Sequence, residues 1–209
     1  MTGRPIDLAT CSRAEQFRFF RTYERPHYAI TVRVDVTRLM RARKSRGLSP
    51  FRTVIHAIGA GLHAVPELRM RFRGETVTLY DHLLLSPTIP LENGDFLYTY
   101  LAWLPDRAAF DEHAKERIDQ VRAGQPLNAN DGTIEDVAYL SCLPWLDYTA
   151  LDNALPHADD CIPRVSWGKI VPKGEGHDVA MTLQVHHALV DGHQAGQFFE
   201  ATQAALDAC

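Results

Sequence analysis

Val179-Ala180-Met181-Thr182-Leu183-Gln184-Val185-His186-His187, followed by Ala188-Leu189-Val190-Asp191-Gly192, joins two kinds of periodicity. Val179, Met181, Leu183, Val185 and His187 alternate with Ala180, Thr182, Gln184 and His186. A period of two is the pattern of a half-buried strand. His187 therefore continues the apolar face and His186 points the other way. Beyond Gly192 the period lengthens: Ala195, Phe198, Phe199, Thr202, Leu206 and Cys209 fit one face of a helix. The unit reads as strand, tight turn, helix. It carries a histidine to the carboxyl end of a strand, where α/β proteins often bind ligands.

The chemistry of the same stretch suggests an enzyme. An imidazole exchanges a proton near neutral pH. The carboxylate of Asp191 can fix local geometry, and Gly192 lets the backbone turn tightly. Taken alone, these residues also fit a packed core histidine and an aspartate that only makes a turn. A metal held by His186, His187, Asp191 and His193 is the weaker reading, because neighbouring strand residues point to opposite faces.

Composition narrows the class. The chain has 209 residues, of which 45% are hydrophobic, enough for one domain with a sizeable core. We expect a single domain over 1–209. With a formal net charge of -4 and no long charge run, the chain does not read as a nucleic-acid binder. The basic cluster from Arg38 to Arg46 reads as a solvated helix face. Met1 to Leu8 has no apolar core of a secretory signal, and no stretch reaches the length of a membrane span. Cys11, Cys142, Cys161 and Cys209 lack CxxC spacing and read as reduced thiols, consistent with a cytoplasmic protein.

Strand and helix signals are interspersed along the chain. Arg13 to Arg21 has helical spacing through Phe17 and Phe20. Tyr28 to Val36 alternates as a strand, and a short helix follows Thr37. Pro50 opens another helix, with Phe51, Val54, Ile55, Ile58 and Leu62 on one stripe. Leu68 to Tyr80 reads as a hairpin turning at Arg73-Gly74-Glu75. Phe96 to Trp103 reads as one strand. Phe110, Ala114, Ile118 and Val121 mark a helix ending at Gly124, before a polar loop from Gln125 to Gly132. Val137, Tyr139 and Ser141 begin another strand face, and Val165 to Val171 is a further strand. The expectation is an α/β fold, a two-layer sandwich of helices on a mixed β-sheet.

Several segments resemble one family. His187, Asp191 and Gly192 match the HHxxxDG signature of chloramphenicol acetyltransferases. Dihydrolipoyl acyltransferase cores and peptide-synthetase condensation domains share that signature. Ser12 to Arg21 is similar to the first family's RxEHFxFYR run. Pro66-Glu67-Leu68-Arg69-Met70 is similar to its ELRM segment, and Leu140-Ser141-Cys142-Leu143-Pro144-Trp145 to its S-A-x-P-W segment. All stand in family order, so the resemblance spans nearly the whole chain.

The resemblance implies a role for each matching residue. His187 would be the general base, taking the proton of an acceptor hydroxyl as it attacks the thioester of acetyl-CoA. Its second ring nitrogen would bond its own backbone carbonyl. Ser141 would donate a hydrogen bond to the oxyanion. Asp191 would pair with Arg13 and hold the turn around His187. Ser166 aligns with a threonine that positions a water, and Lys169 would lie near the CoA entrance. The acceptor pocket would draw on Phe19, Phe20, Tyr28, Phe96, Tyr98 and Leu151. The family implies acetyl-CoA as co-substrate, no permanently bound cofactor or metal, and a homotrimer with sites at its subunit interfaces. It also implies chloramphenicol as acceptor, hence antibiotic resistance.

The chain departs from the pattern in that pocket. Phe20 stands where the family has a tyrosine, and Glu24 where it has an antibiotic-contacting leucine. One pocket phenylalanine falls near Asn128 and another becomes Leu151. Polar groups in place of apolar walls change what can be desolvated there. An acyltransferase of the same fold serving another alcohol or amine is therefore the second reading. A non-catalytic binding homologue is the third, opposed by the joint presence of His187, Ser141, Asp191 and Arg13.

Overall fold

The computed structural model describes residues 3–11, 13–91, 94–124 and 133–209. Ser12 and the loop from Gln125 to Gly132, with Asn128, lie outside the described residues. Among the described residues, ten strands and five α-helices follow one another: β1 (Gly3–Ile6), α1 (Ala14–Phe20), β2 (His27–Asp35), α2 (Thr37–Arg46), α3 (Pro50–Ala64), β3 (Met70–Arg73), β4 (Thr76–Tyr80), β5 (Leu84–Pro90), β6 (Phe96–Tyr98), β7 (Leu101–Ala102), α4 (Arg107–Arg122), β8 (Val137–Cys142), β9 (Arg164–Lys173), β10 (Gly176–His186) and α5 (Gly192–Asp207).

The larger sheet runs β2-β10-β9-β8-β5-β6, with β7 also on β5. The β8 strand is parallel to both β5 and β9, and the other pairs are antiparallel, so the sheet is mixed. A smaller antiparallel sheet runs β1-β4-β3. Its hairpin turns at Gly74, where φ is 54°, a conformation that favours a residue without Cβ.

Alternation in β10 has the expected consequence. Val179, Met181, Leu183 and Val185 enter the main core with Val165 and Trp167 of β9. The α3 and α5 helices cover this face. Pro50 starts α3 behind Ser49, whose hydroxyl accepts from the Arg52 amide. Ile55, Ile58 and Leu62 of α3 and Phe198 and Leu206 of α5 are buried against the sheet. The two helices approach closely at Gly61: a Cβ there would stand 2.8 Å from the Phe198 carbonyl oxygen. The exposed arginines of α2 form a solvated face, as their spacing suggests.

The opposite face of β10 is polar yet equally enclosed. Thr182 and Gln184 are no more than 2% exposed. The segment between β8 and β9 is fastened over them. Tyr148 donates to the Ser166 carbonyl at 2.9 Å, and the Thr182 hydroxyl donates to Tyr148 at 3.2 Å. Gln184 accepts from the Asn153 amide at 2.8 Å and donates to Asp152 at 2.6 Å. These bonds satisfy polar groups that burial would otherwise penalise.

Two expectations change. Phe96 to Trp103 is not one strand: it breaks after Tyr98 and resumes at Leu101. Its partner β5 contains Pro87 and Pro90, which cannot donate to a ladder. The β5 strand itself carries no clear alternation and escapes a pattern reading. Leu68 and Arg69 belong to a short 3-10 turn, Pro66–Arg69, so the hairpin begins at Met70.

Candidate active site

The β10 strand ends at His186, and His187 is the first residue of the turn that follows. The turn is tied on both sides. The His187 amide donates to the Pro26 carbonyl at 2.8 Å, extending the pairing with β2. The Leu189 and Val190 amides both donate to the His186 carbonyl. Tyr28 donates to the Val190 carbonyl at 3.3 Å. Burial first, and then the charge of Asp191, push the Tyr28 phenol up to about 12, so it stays neutral and holds its bond.

The imidazole of His187 is clamped. Phe20 lies flat on it, with ring centroids 3.7 Å apart and planes 6° from parallel. Tyr28 leans on it at 4.7 Å. The ring is half-buried, and its Nδ1 is buried without a hydrogen-bond partner. The expected bond from that nitrogen to the residue's own carbonyl is not among those formed. His186 takes the other direction, as the alternation requires. It is buried, it packs edge-on against His27 and Phe72, and burial lowers it to about 4.

Asp191 caps α5. Its Oδ1 accepts from the His193 amide at 2.9 Å, and Gln194 reaches back to the Asp191 amide, closing a capping box. Its Oδ2 accepts from Arg13 Nη1 at 2.6 Å. This pair ties the start of α1 to the turn after His187. Burial acts to raise the Asp191 carboxyl, but the Arg13 bond and the two amides outweigh it and hold it below the usual value. A depressed carboxyl contributes stability that is present above its unfolded value and lost as pH falls through its folded value. Asp191→Asn keeps a good cap but loses the charge. It is expected to lower stability by about 1 kcal/mol at pH 7, a figure reduced for the solvent exposure of the pair. Urea melts across pH should show the gap closing below the ordinary carboxylate range. A gap independent of pH would mean that the ion pair does not contribute.

Ser141 sits elsewhere. It is half-buried on β8, directly opposite Ser166 of β9. Both line a cavity of about 350 Å³ with Phe96 and Tyr98. The further lining residues that sequence reasoning missed include Ser86, Tyr139, Asn153 and Arg164. Tyr139 shares the strand face of Ser141 and was within reach of the alternation. Ser86 was hidden by the proline-broken pattern of β5. Arg164 forks onto Asp160 at 2.9 and 3.0 Å and stands over the Tyr139 ring, so its charge is matched.

The remaining expected residues divide between these places. Phe19 is 56% exposed and touches Phe20 and Tyr23 edge-on rather than the base. Glu24 lines a separate cavity of about 420 Å³ with His27 and Asp152. Leu151 is half-buried but does not line the Ser141 cavity, and exposed Lys169 does not either.

His187 and Ser141 do not meet within one chain. Ser141 pairs with Ser166, which pairs with Thr182, five residues before His187. Two strand steps and five residues of rise separate them by roughly 19 Å. Groups that act on one carbonyl must each come within about 3 Å of the reacting atoms.

A family profile described as chloramphenicol acetyltransferase matches residues 1–203. A chloramphenicol acetyltransferase of Bacillus pumilus is 23% identical over 94% of this chain and 90% of its own length. Chloramphenicol acetyltransferase 2 of Escherichia coli is 24% identical over 97% of this chain and 96% of its own. A solved chloramphenicol acetyltransferase superposes with a TM-score of 0.88 at 24% identity, covering 98% of this chain and all of the other. A probable dihydrolipoamide acetyltransferase of Listeria monocytogenes shares the fold more distantly, with a TM-score of 0.65 at 19% identity over 98% of this chain and 94% of its own.

Proposed function

The chain belongs to the chloramphenicol acetyltransferase family and is an acyltransferase, and from that premise we propose that it moves the acetyl group of acetyl-CoA to an acceptor hydroxyl. His187 Nε2 takes the hydroxyl proton as the oxygen attacks the thioester carbonyl. The tetrahedral oxyanion accepts a hydrogen bond from Ser141. Collapse expels the CoA thiolate, which recovers the proton from His187. The observation that carries this reading is the imidazole clamped at the end of β10, stacked flat on Phe20 and leaned on by Tyr28.

The separation of His187 from Ser141 supports a site shared between copies of the chain. One copy supplies the base and its neighbour supplies the serine and the cavity, in a trimer like that implied by the family resemblance. Asp191 and Arg13 act by holding the turn. The names of the relatives make chloramphenicol the first acceptor to test. The polar lining by Tyr139, Asn153 and Arg164 favours a second reading, another and more hydrophilic alcohol.

The assay follows release of CoA thiol from acetyl-CoA with chloramphenicol and with a panel of alcohols and amines. Acceptor-dependent release is expected. Release with none of them would sink the acetyl-transfer reading, and release only with other acceptors would select the second.

A further inference from the structure

The cavity beside Ser141 contains two buried hydroxyls that no group of the same chain answers. Ser86 and Ser166 are each 1% exposed, both line the cavity, and the Oγ of each has no hydrogen-bond partner within the chain. Enclosing a hydroxyl without a partner is unfavourable, so a pair of them in one cavity wall fits a ligand that supplies the missing bonds.

The two differ in position. Ser166 is opposite Ser141, the proposed oxyanion donor. Ser86, on β5, is opposite Tyr139, two residues back from Ser141 along β8. One strand step and two residues of rise put Ser86 roughly 8 Å from Ser141. The wall around it sets polar groups among aromatic rings, Phe96 and Tyr98 with them, and carries no unmatched charge from Arg164. Arg164 is matched by Asp160, and Asn153 is held by Gln184 through its amide and side chain. Such a wall offers hydrogen bonds without attracting an anion, and an aromatic or alkyl ligand would leave Ser86 unanswered.

The geometry points to Ser86 as a specificity-determining residue, whose hydroxyl bonds a second hydroxyl of a neutral, sugar-like polyol while the first hydroxyl receives the acetyl group. This rests on the acetyl-transfer reading of the Ser141 site. A single-hydroxyl alcohol cannot occupy both ends.

The test compares kcat/KM for methyl β-D-glucopyranoside and for cyclohexylmethanol, with acetyl-CoA, in the unaltered protein and in Ser86→Ala. Alanine removes only Oγ from an enclosed position. The unaltered protein is expected to favour the glucoside, and Ser86→Ala to cut that preference at least tenfold, chiefly through KM. An unchanged ratio, or a native preference for cyclohexylmethanol, overturns the proposal. Calorimetric titration of the glucoside into His187→Ala, with and without Ser86→Ala, reads the same contact without turnover. A Kd at least tenfold weaker with Ser86→Ala is expected; equal Kd values, or no binding to either, overturn it. Acetyl transfer to cyclohexylmethanol without polyol preference leaves the acetyl-transfer reading standing and removes this one. Ser86-dependent glucoside binding without transfer to any acceptor does the reverse.

Discussion

Replacing His187 by alanine is expected to lower acceptor-dependent thiol release about 10²- to 10⁴-fold, the range for removing a positioned base. The loss falls on kcat. In the proposed mechanism the ring is the proton acceptor, whereas the walls of the Ser141 cavity stand on other residues. Alanine also removes the stack on Phe20, but the turn keeps its anchors in Pro26, Tyr28 and the Arg13–Asp191 pair. The variant should therefore fold, with a melting temperature within a few degrees of the unaltered protein. His187→Ala that folds and retains full activity would remove the imidazole from the mechanism. His186→Ala is the control in the other direction. His186 is enclosed between His27 and Phe72, so its loss acts on stability.

Ser141→Ala is expected to lower kcat about 10²- to 10³-fold, the effect of deleting one oxyanion donor. KM for acetyl-CoA should change little, since the bond strengthens only as charge develops on the carbonyl oxygen. Mixing gives this prediction its sharpest form. Oligomers of Ser141→Ala alone and of His187→Ala alone are both crippled at every site. If each site takes its base from one copy and its serine from the next, random reassembly of equal amounts yields about one site in four with both groups intact. Activity after mixing should rise to about a quarter of the unaltered level. Unmixed samples carried through the same denaturation and refolding should stay inactive. A mixed sample that forms hetero-oligomers but recovers nothing would mean that the two groups do not meet across an interface.

Several parts of this site were legible because they depend on local periodicity. The alternation from Val179 to His187 separated the base candidate from the enclosed His186. The period change after Gly192 announced the helix, and the structure shows that Asp191, read only as a turn residue or a partner of Arg13, also caps it with a capping box. The distant pairing of Arg13 with Asp191 came from family resemblance, because the two are far apart in sequence and no local pattern links them. Phe20 at the face of the base was legible in the same way. The Ser141 cavity was only half legible. Tyr139 lies on the alternating face of β8, but Ser86 lies on a strand whose prolines erase the pattern.

From the chain alone came the strand-turn-helix unit, the orientation of His187, the α/β class and the membership suggested by its motifs. These follow from side chains repeating every two or 3.6 residues, a property of neighbours in sequence. The fold alone decided which strands lie side by side. Placing β8 between β5 and β9 gathered Ser86, Ser141 and Ser166 around one cavity and set His187 two strands and five residues away. Strand register is fixed by burial across the whole sheet rather than by any one segment. For that reason the distance between His187 and Ser141 is decided by the tertiary structure and not by the motif.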